Sequence, residues 1–205
     1  MRRALLFMTT CLAGSSAIAQ TTAVELDPLI LDTAVRDRQE LLDTALSATV
    51  RSGEHLDQRQ ASDFQDLIGT VPGVVVEGGP RGISQEINIR GFTDDQIVLR
   101  FDGGRLNFTQ AHRGRFFVNP DIVETVEVVR GGGSTLFGSG ALGGVIAVET
   151  REVADLLKPG QTTGARLRFG ASSNGDISSA SATGFGDWGE FDALAFLGSR
   201  QFSAD

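Results

Sequence analysis

Apolar residues recur along this chain with two different periods, and each period predicts an element. From Ile122 to Val129 (IVETVEVV) apolar positions are interleaved with acids and a threonine, as in a strand with a buried face. Val145 to Val148 is a short β-branched run that predicts a second strand. In Ala61 to Val71 (ASDFQDLIGTV) the spacing of Phe64, Leu67, Ile68 and Val71 is helical, with Ser62 or Asp63 placed to cap the N-terminus and Pro72-Gly73 to end it. Val74 to Glu77, Ile87 to Ile89 and Ile97 to Phe101 read as further strands, the last running into an Asp102-Gly103 turn. Arg36 to Val50 carries Leu41, Leu42, Ala45 and Leu46 in a weaker helical pattern, predicting a tether or a helix. His55 lies in a polar stretch and is expected on the surface.

After Lys158-Pro159-Gly160 the texture changes. Residues 164–171, 177–185 and 190–198 alternate in polarity and are parted by Asn174-Gly175-Asp176 and Gly186-Asp187-Trp188-Gly189. Segments of about 9–11 residues with period-two alternation are the pattern of membrane β-strands. Trp188 is placed to mark a membrane rim, although the chain has no tyrosine to thicken an aromatic girdle.

Met1-Arg2-Arg3, an apolar run from Ala4 to Ala13 and Ala17-Ile18-Ala19 predict a cleaved secretory leader over residues 1–19. Its apolar run is too short to span a bilayer. Cys11, the only cysteine, falls inside it, so the mature chain is expected to have no thiolate chemistry and no disulfides. The chain carries 18 basic and 26 acidic residues; losing Arg2 and Arg3 takes the net charge from −8 to −10, which argues against a nucleic-acid partner. No apolar stretch is long enough for a membrane helix, so membrane residence would require a β-barrel.

Between the strands at 122–129 and 145–148 lies a glycine-dense turn holding Gly131, Gly132, Gly133, Gly138, Gly140, Gly143 and Gly144. It is too apolar for a linker and predicts a compact folded loop. Gly138 to Gly143 also satisfies G-x-G-x-x-G, but a strand-forming run follows where the dinucleotide fingerprint needs a helix. That context argues against nucleotide binding.

The run VETVEVVRGGGSTLFGSGALGGVIAVET resembles the end of the plug domain of TonB-dependent outer-membrane receptors. Gly132 stands where that family usually has proline. The helix–Pro-Gly-Val–strand unit at 61–77, the Ile87-Asn88-Ile89-Arg90-Gly91 stretch and the strand-turn at 97–105 fit the same pattern, apart from Arg100 at a usually apolar position. The resemblance implies an α+β plug (a small mixed sheet, short helices, glycine-rich loops) followed by the first strands of an antiparallel transmembrane β-barrel. It divides the chain into a leader at 1–19, a periplasmic extension at 20–52, a plug at 53–152 and barrel strands at 160–205. A barrel of about 22 strands needs several hundred residues more, so the chain is expected to be a fragment or a truncated product.

The resemblance also implies site roles. Leu29, Ile30, Leu31, Asp32 and Thr33 form the candidate TonB box, which would pair as an added strand with the energy-transducing protein TonB of the inner-membrane complex. Arg90 and Arg130, each before a glycine at a strand end, would face barrel-wall acids and lock plug to barrel; the plainer alternative is that each caps its own turn. In haem and haemoglobin receptors a histidine shortly before F-x-(D/N)-P ligates haem iron, and His112 precedes Phe116 and Asn119-Pro120 in that way. Arg113 and Arg115 would meet the propionates. In a ferric-siderophore receptor, Phe108, Arg113 and Phe116 would serve as ligand contacts instead. The expected function is energised uptake of haem, free or from haem proteins, across the outer membrane, with no enzymatic activity and no intrinsic cofactor. A free plug that binds without transporting is the other open class.

Overall fold

A computed structural model describes residues 30–31, 39–40, 47–79, 84–106, 118–173 and 176–202. Two short strands, β1 (Ile30–Leu31) and β2 (Gln39–Glu40), pair antiparallel. The core begins with β3 (Ser47–Ser52), α1 (Gly53–Gln58), α2 (Phe64–Ile68) and β4 (Val74–Glu77). It continues through β5 (Glu86–Ile89), β6 (Phe92–Thr93), β7 (Ile97–Phe101) and β8 (Gly104–Arg105). Next come β9 (Val123–Arg130), α3 (Ser134–Phe137), β10 (Gly144–Thr150) and α4 (Val153–Leu156). Three long strands follow, β11 (Thr163–Ser172), β12 (Ile177–Asp187) and β13 (Asp192–Phe202).

The central sheet is mixed, in the order β3-β9-β10-β7-β8, with β10 parallel to β7 and every other pair antiparallel. Both faces of β9 and β10 are covered. Val126, Val128, Ile146 and Val148 pack with Ile97, Leu99 and the α2 side chains in one cluster, while Val129, Val145 and Ala147 join Val98 and Ala141 in a second. A strand buried on both faces needs an apolar run rather than strict alternation, which is why Val145 to Val148 is continuous. In α2 the Asp63 carboxylate accepts from the Asp66 N–H at 2.9 Å, so Asp63 rather than Ser62 is the cap, and Phe64, Leu67 and Ile68 are buried. β4 shows its alternation directly: Val74 and Val76 are buried, and Val75 and Glu77 are exposed.

The tether or helix expected over 36–50 rests on Leu41, Leu42, Ala45 and Leu46, which lie outside the described residues; the described part of that stretch is extended. Gln39–Glu40 and Ser47–Ser52 are strands, because Thr49 and Val50 are β-branched and the edge of β9 is there to pair with. The following residues, read as a polar stretch, make α1, and His55 is half-buried rather than exposed.

The glycine-dense turn is folded as expected. Its ends are tied by Gly131 N–H to Gly143 carbonyl (2.8 Å) and Gly133 N–H to Ala141 carbonyl (2.8 Å), with α3 between them. Gly144 has φ +151°, and a Cβ there would lie 2.1 Å from the Val129 carbonyl oxygen, so the close approach of β10 to β9 at this end requires glycine. The G-x-G-x-x-G run leads into strand β10, not a helix, and lacks the geometry that receives a pyrophosphate.

β11, β12 and β13 form a separate antiparallel sheet in sequence order with an unbroken register. Its outward face carries Leu167 (68% exposed), Phe169 (78%) and Leu197 (76%). At the β12–β13 turn Trp188 and Phe191 stack with ring centroids 5.1 Å apart. No described helix is long and apolar enough to cross a membrane.

Candidate functional site

The candidate ligand loop falls between two well-anchored ends. On one side Leu106 donates its N–H to the Leu99 carbonyl at 2.9 Å and packs on the core. On the other, Val118 packs on the same core, and the Asn119 side chain accepts from the Asp121 N–H at 3.0 Å, capping the 3-10 turn Pro120–Ile122. Phe108, His112, Arg113, Arg115 and Phe116 lie outside the described residues. So do the leader and, within the candidate TonB box, Leu29, Asp32 and Thr33. Ile30 and Leu31 form β1, with Ile30 opposite Glu40 and Leu31 opposite Gln39.

Arg130 and Arg90 converge at one end of the plug. Arg130 donates to the carbonyls of Pro72 (2.8 Å), Ser47 (3.2 Å) and Ala48 (3.2 Å) and to Thr49 Oγ1 (3.0 Å). Its guanidinium therefore staples β3 to the α2–β4 turn within the plug. Arg90 donates to Ser47 Oγ at 3.2 Å. Burial and the neighbouring Arg90 both depress the Arg130 pKa below the usual arginine value. Among the described residues no carboxylate pairs with either arginine. Arg100, the departure from an apolar strand position, donates to the Gly103 carbonyl at 2.9 Å.

The ionic contacts between plug and long strands lie elsewhere and have the opposite polarity to the expected lock. Here the plug supplies carboxylates and the strand supplies arginines. Asp57, on α1, accepts from Arg166 Nη2 at 2.5 Å and from Arg151 Nη2 at 2.9 Å. Asp121 accepts from Arg168 at 2.5 Å and from the Ser181 hydroxyl, and Arg168 also approaches Asp57 at 3.8 Å. Arg151 is the buried centre, its side chain 6% exposed, with further bonds to the carbonyls of Val123 (3.0 Å) and Gly53 (3.4 Å). Glu124 sits 3.5 Å from it. Burial raises the Glu124 carboxyl above its ordinary value, and the Arg151 charge pulls against that rise. A β-bulge in the β9–β10 register skips Glu124 and frees its side chain to reach Arg151.

The sequence contained a signal for half of this cluster. Arg166 and Arg168 are spaced two apart in a strand whose other face is Ala165, Leu167 and Phe169, so both must point away from the apolar face. Nothing in the sequence singles out Asp57 or Asp121 as their partners.

The comparisons with known proteins agree with this architecture. Residues 40–145 match the family model of the TonB-dependent receptor plug domain. The chain is 39% identical to the heme/hemopexin utilization protein C of Haemophilus influenzae, over 84% of this chain and 23% of that protein. It is 33% identical to the hemin receptor of Yersinia pestis, over 82% of this chain and 25% of that one. Among solved structures, the FrpB iron transporter of Neisseria meningitidis in its apoprotein form superposes with TM-score 0.67 at 30% identity, over 76% of this chain and 24% of that one. The chain thus spans about a quarter of the length of the relatives it matches.

Proposed function

The chain belongs to the TonB-dependent receptor plug-domain family, and from that premise we propose that it is the plug and first barrel strands of an outer-membrane receptor for haem or haem carried by proteins. The family is one of receptors and transporters rather than enzymes. The observation that carries the haem reading is the identity of 39% across most of this chain to a protein named for heme and hemopexin utilization. It is supported by His112, placed before Phe116 and Asn119-Pro120 in a loop whose two ends are held on the plug core.

In this reading the three-stranded sheet lies in the barrel wall. Leu167, Phe169 and Leu197 face lipid, and Arg166, Arg168 and Ser181 face the plug. Haem binds above the plug with the His112 imidazole as an axial iron ligand and Arg113 and Arg115 on the propionates. The segment from Leu29 to Thr33 is the TonB box: backbone pairing gives its affinity for TonB, and the inner-membrane complex supplies the energy. Ligand on one side and availability of the box on the other are then two coupled sites. Arg90 and Arg130, a pair of like charges without a carboxylate among the described residues, face acids of the barrel wall beyond this chain.

A second reading, an iron-chelate receptor, is favoured by the likeness to the FrpB iron transporter. A haemin titration of the full receptor by visible absorption, beside its His112→Ala variant, separates the two. The haem reading expects a saturating Soret change in the parent that weakens or shifts in the variant. Identical titrations would remove His112 as ligand. Absence of binding by the parent would leave the iron-chelate reading, with Phe108, Arg113 and Phe116 as its contacts.

A further inference from the structure

Among the described residues, two guanidinium groups without a carboxylate partner line one cleft. The cleft, about 360 Å³, lies between the plug and the sheet β11–β13. Arg59, at the end of α1, lines it from the plug, and Arg200 lines it from β13. The Arg168–Asp121 pair and Asn119 also contribute to its wall. Arg151, Arg166 and Arg168 each meet a carboxylate, whereas among the described residues Arg59 and Arg200 form no ion pair and no side-chain hydrogen bond. Three arginines against one aspartate leave the cleft with a net positive charge, in a chain whose formal charge is −8. A local excess opposed to the charge of the whole, between low-dielectric walls, attracts anions.

Guanidinium groups select oxyanions that accept two parallel hydrogen bonds, carboxylates foremost in a ligand of this class. The cleft is also next to the candidate ligand loop in sequence, because Asn119 follows its Val118 anchor directly. Resting on the haem reading above, we infer that this cleft is a carboxylate subsite that takes one propionate arm of a porphyrin ligand between Arg59 and Arg200, leaving the other arm to Arg113 and Arg115.

The test uses the full receptor in detergent, titrated with metal-free protoporphyrin IX, with its dimethyl ester and with haemin. Without iron, the first two report the carboxylates and not His112. The R59Q/R200Q variant is expected to weaken the diacid by on the order of tenfold or more and to leave the ester unchanged. R59K/R200K should recover part of the loss, and unchanged heat-modifiable mobility on gels would show that the variants are folded. Equal binding of diacid and ester by the parent, or a preference undiminished in R59Q/R200Q, overturns the subsite. Haemin binding that is equal in parent and R59Q/R200Q overturns the subsite and leaves the haem reading standing. A parent that binds neither haemin nor protoporphyrin overturns both.

Discussion

Replacing Asp57 with asparagine keeps the shape of the side chain and removes the charge that Arg151 and Arg166 bond and Arg168 approaches. Arg151 loses its 2.9 Å partner while 6% exposed, and the nearest remaining carboxylate oxygen is that of Glu124, at 3.5 Å. Arg166 loses a 2.5 Å contact but is 24% exposed, so water replaces much of it. A hydrogen bond to a charged group contributes about 1.5–3 kcal/mol, and stranding a buried charge costs about 3–5 kcal/mol. Asp57 itself is 34% exposed, which discounts the upper figure and leaves a net loss of about 2–3 kcal/mol. Hydrogen–deuterium exchange on the full receptor reads this as local opening. Amides of α1 and of the first half of β11 should lose protection by about 30- to 150-fold, while those of β5 and β6 should not change. The double variant Asp57→Asn, Arg166→Gln should lose less than the sum of the single losses. Unchanged protection in Asp57→Asn, or strict additivity in the double variant, would refute a plug–strand latch centred on Asp57.

Gly144→Ala should destabilise the plug by about 2–4 kcal/mol, from positive φ and from a Cβ 2.1 Å from the Val129 carbonyl oxygen; a lowered midpoint for loss of β9 and β10 protection in urea checks it. Because burial raises the Glu124 carboxyl, the folded protein holds that proton more tightly than the unfolded chain. Its contribution to stability is full below the ordinary value of 4.5 and is lost as pH rises through the raised folded value. Glu124→Gln should flatten the stability–pH curve just above 4.5, read from denaturant midpoints across that interval. Arg130→Ala should lower protection of β3 by roughly 1.5–3 kcal/mol and leave β11 untouched, since its acceptors are Ser47, Ala48, Thr49 and Pro72. Ile30→Pro removes a backbone donor from β1 and should reduce cross-linking of the receptor to TonB without altering haemin affinity.

The elements that could be read from the sequence are those whose pattern is set by their own two faces. β9 and β10 announce themselves through apolar runs, α2 through its spacing and Asp63, and the long strands through alternation. In the stretch 36–50 the helical spacing is carried by Leu41, Leu42, Ala45 and Leu46, which lie outside the described residues, while Ser47 to Val50 enter β3, whose pairing depends on the edge that β9 offers. Strand order across the mixed sheet, with β7 beside β10, depends on contacts far apart in sequence and leaves no local trace. The same holds for the Asp57 and Asp121 latch, whose members come from α1, a 3-10 turn and three different strands or strand ends. Arg130 illustrates the limit from the other side. Its strand-end position suggested a wall contact, whose partners lie outside the described residues, and no local pattern announced the acceptors that the plug itself offers it.

The alternation in β11 has a consequence for assembly. A strand entering a growing barrel can pair in a neighbouring register, and a slip of one residue exchanges its two faces. With β11 in the barrel wall as proposed, it would turn Arg166 and Arg168 into the hydrocarbon and Leu167 and Phe169 toward the plug. Each misplaced arginine would cost about 2–4 kcal/mol near the bilayer midplane, and Asp57 and Asp121 would be left facing apolar groups. The pair of arginines therefore acts as a phase marker, making the wrong insertion of this strand self-rejecting before the rest of the wall is laid against it.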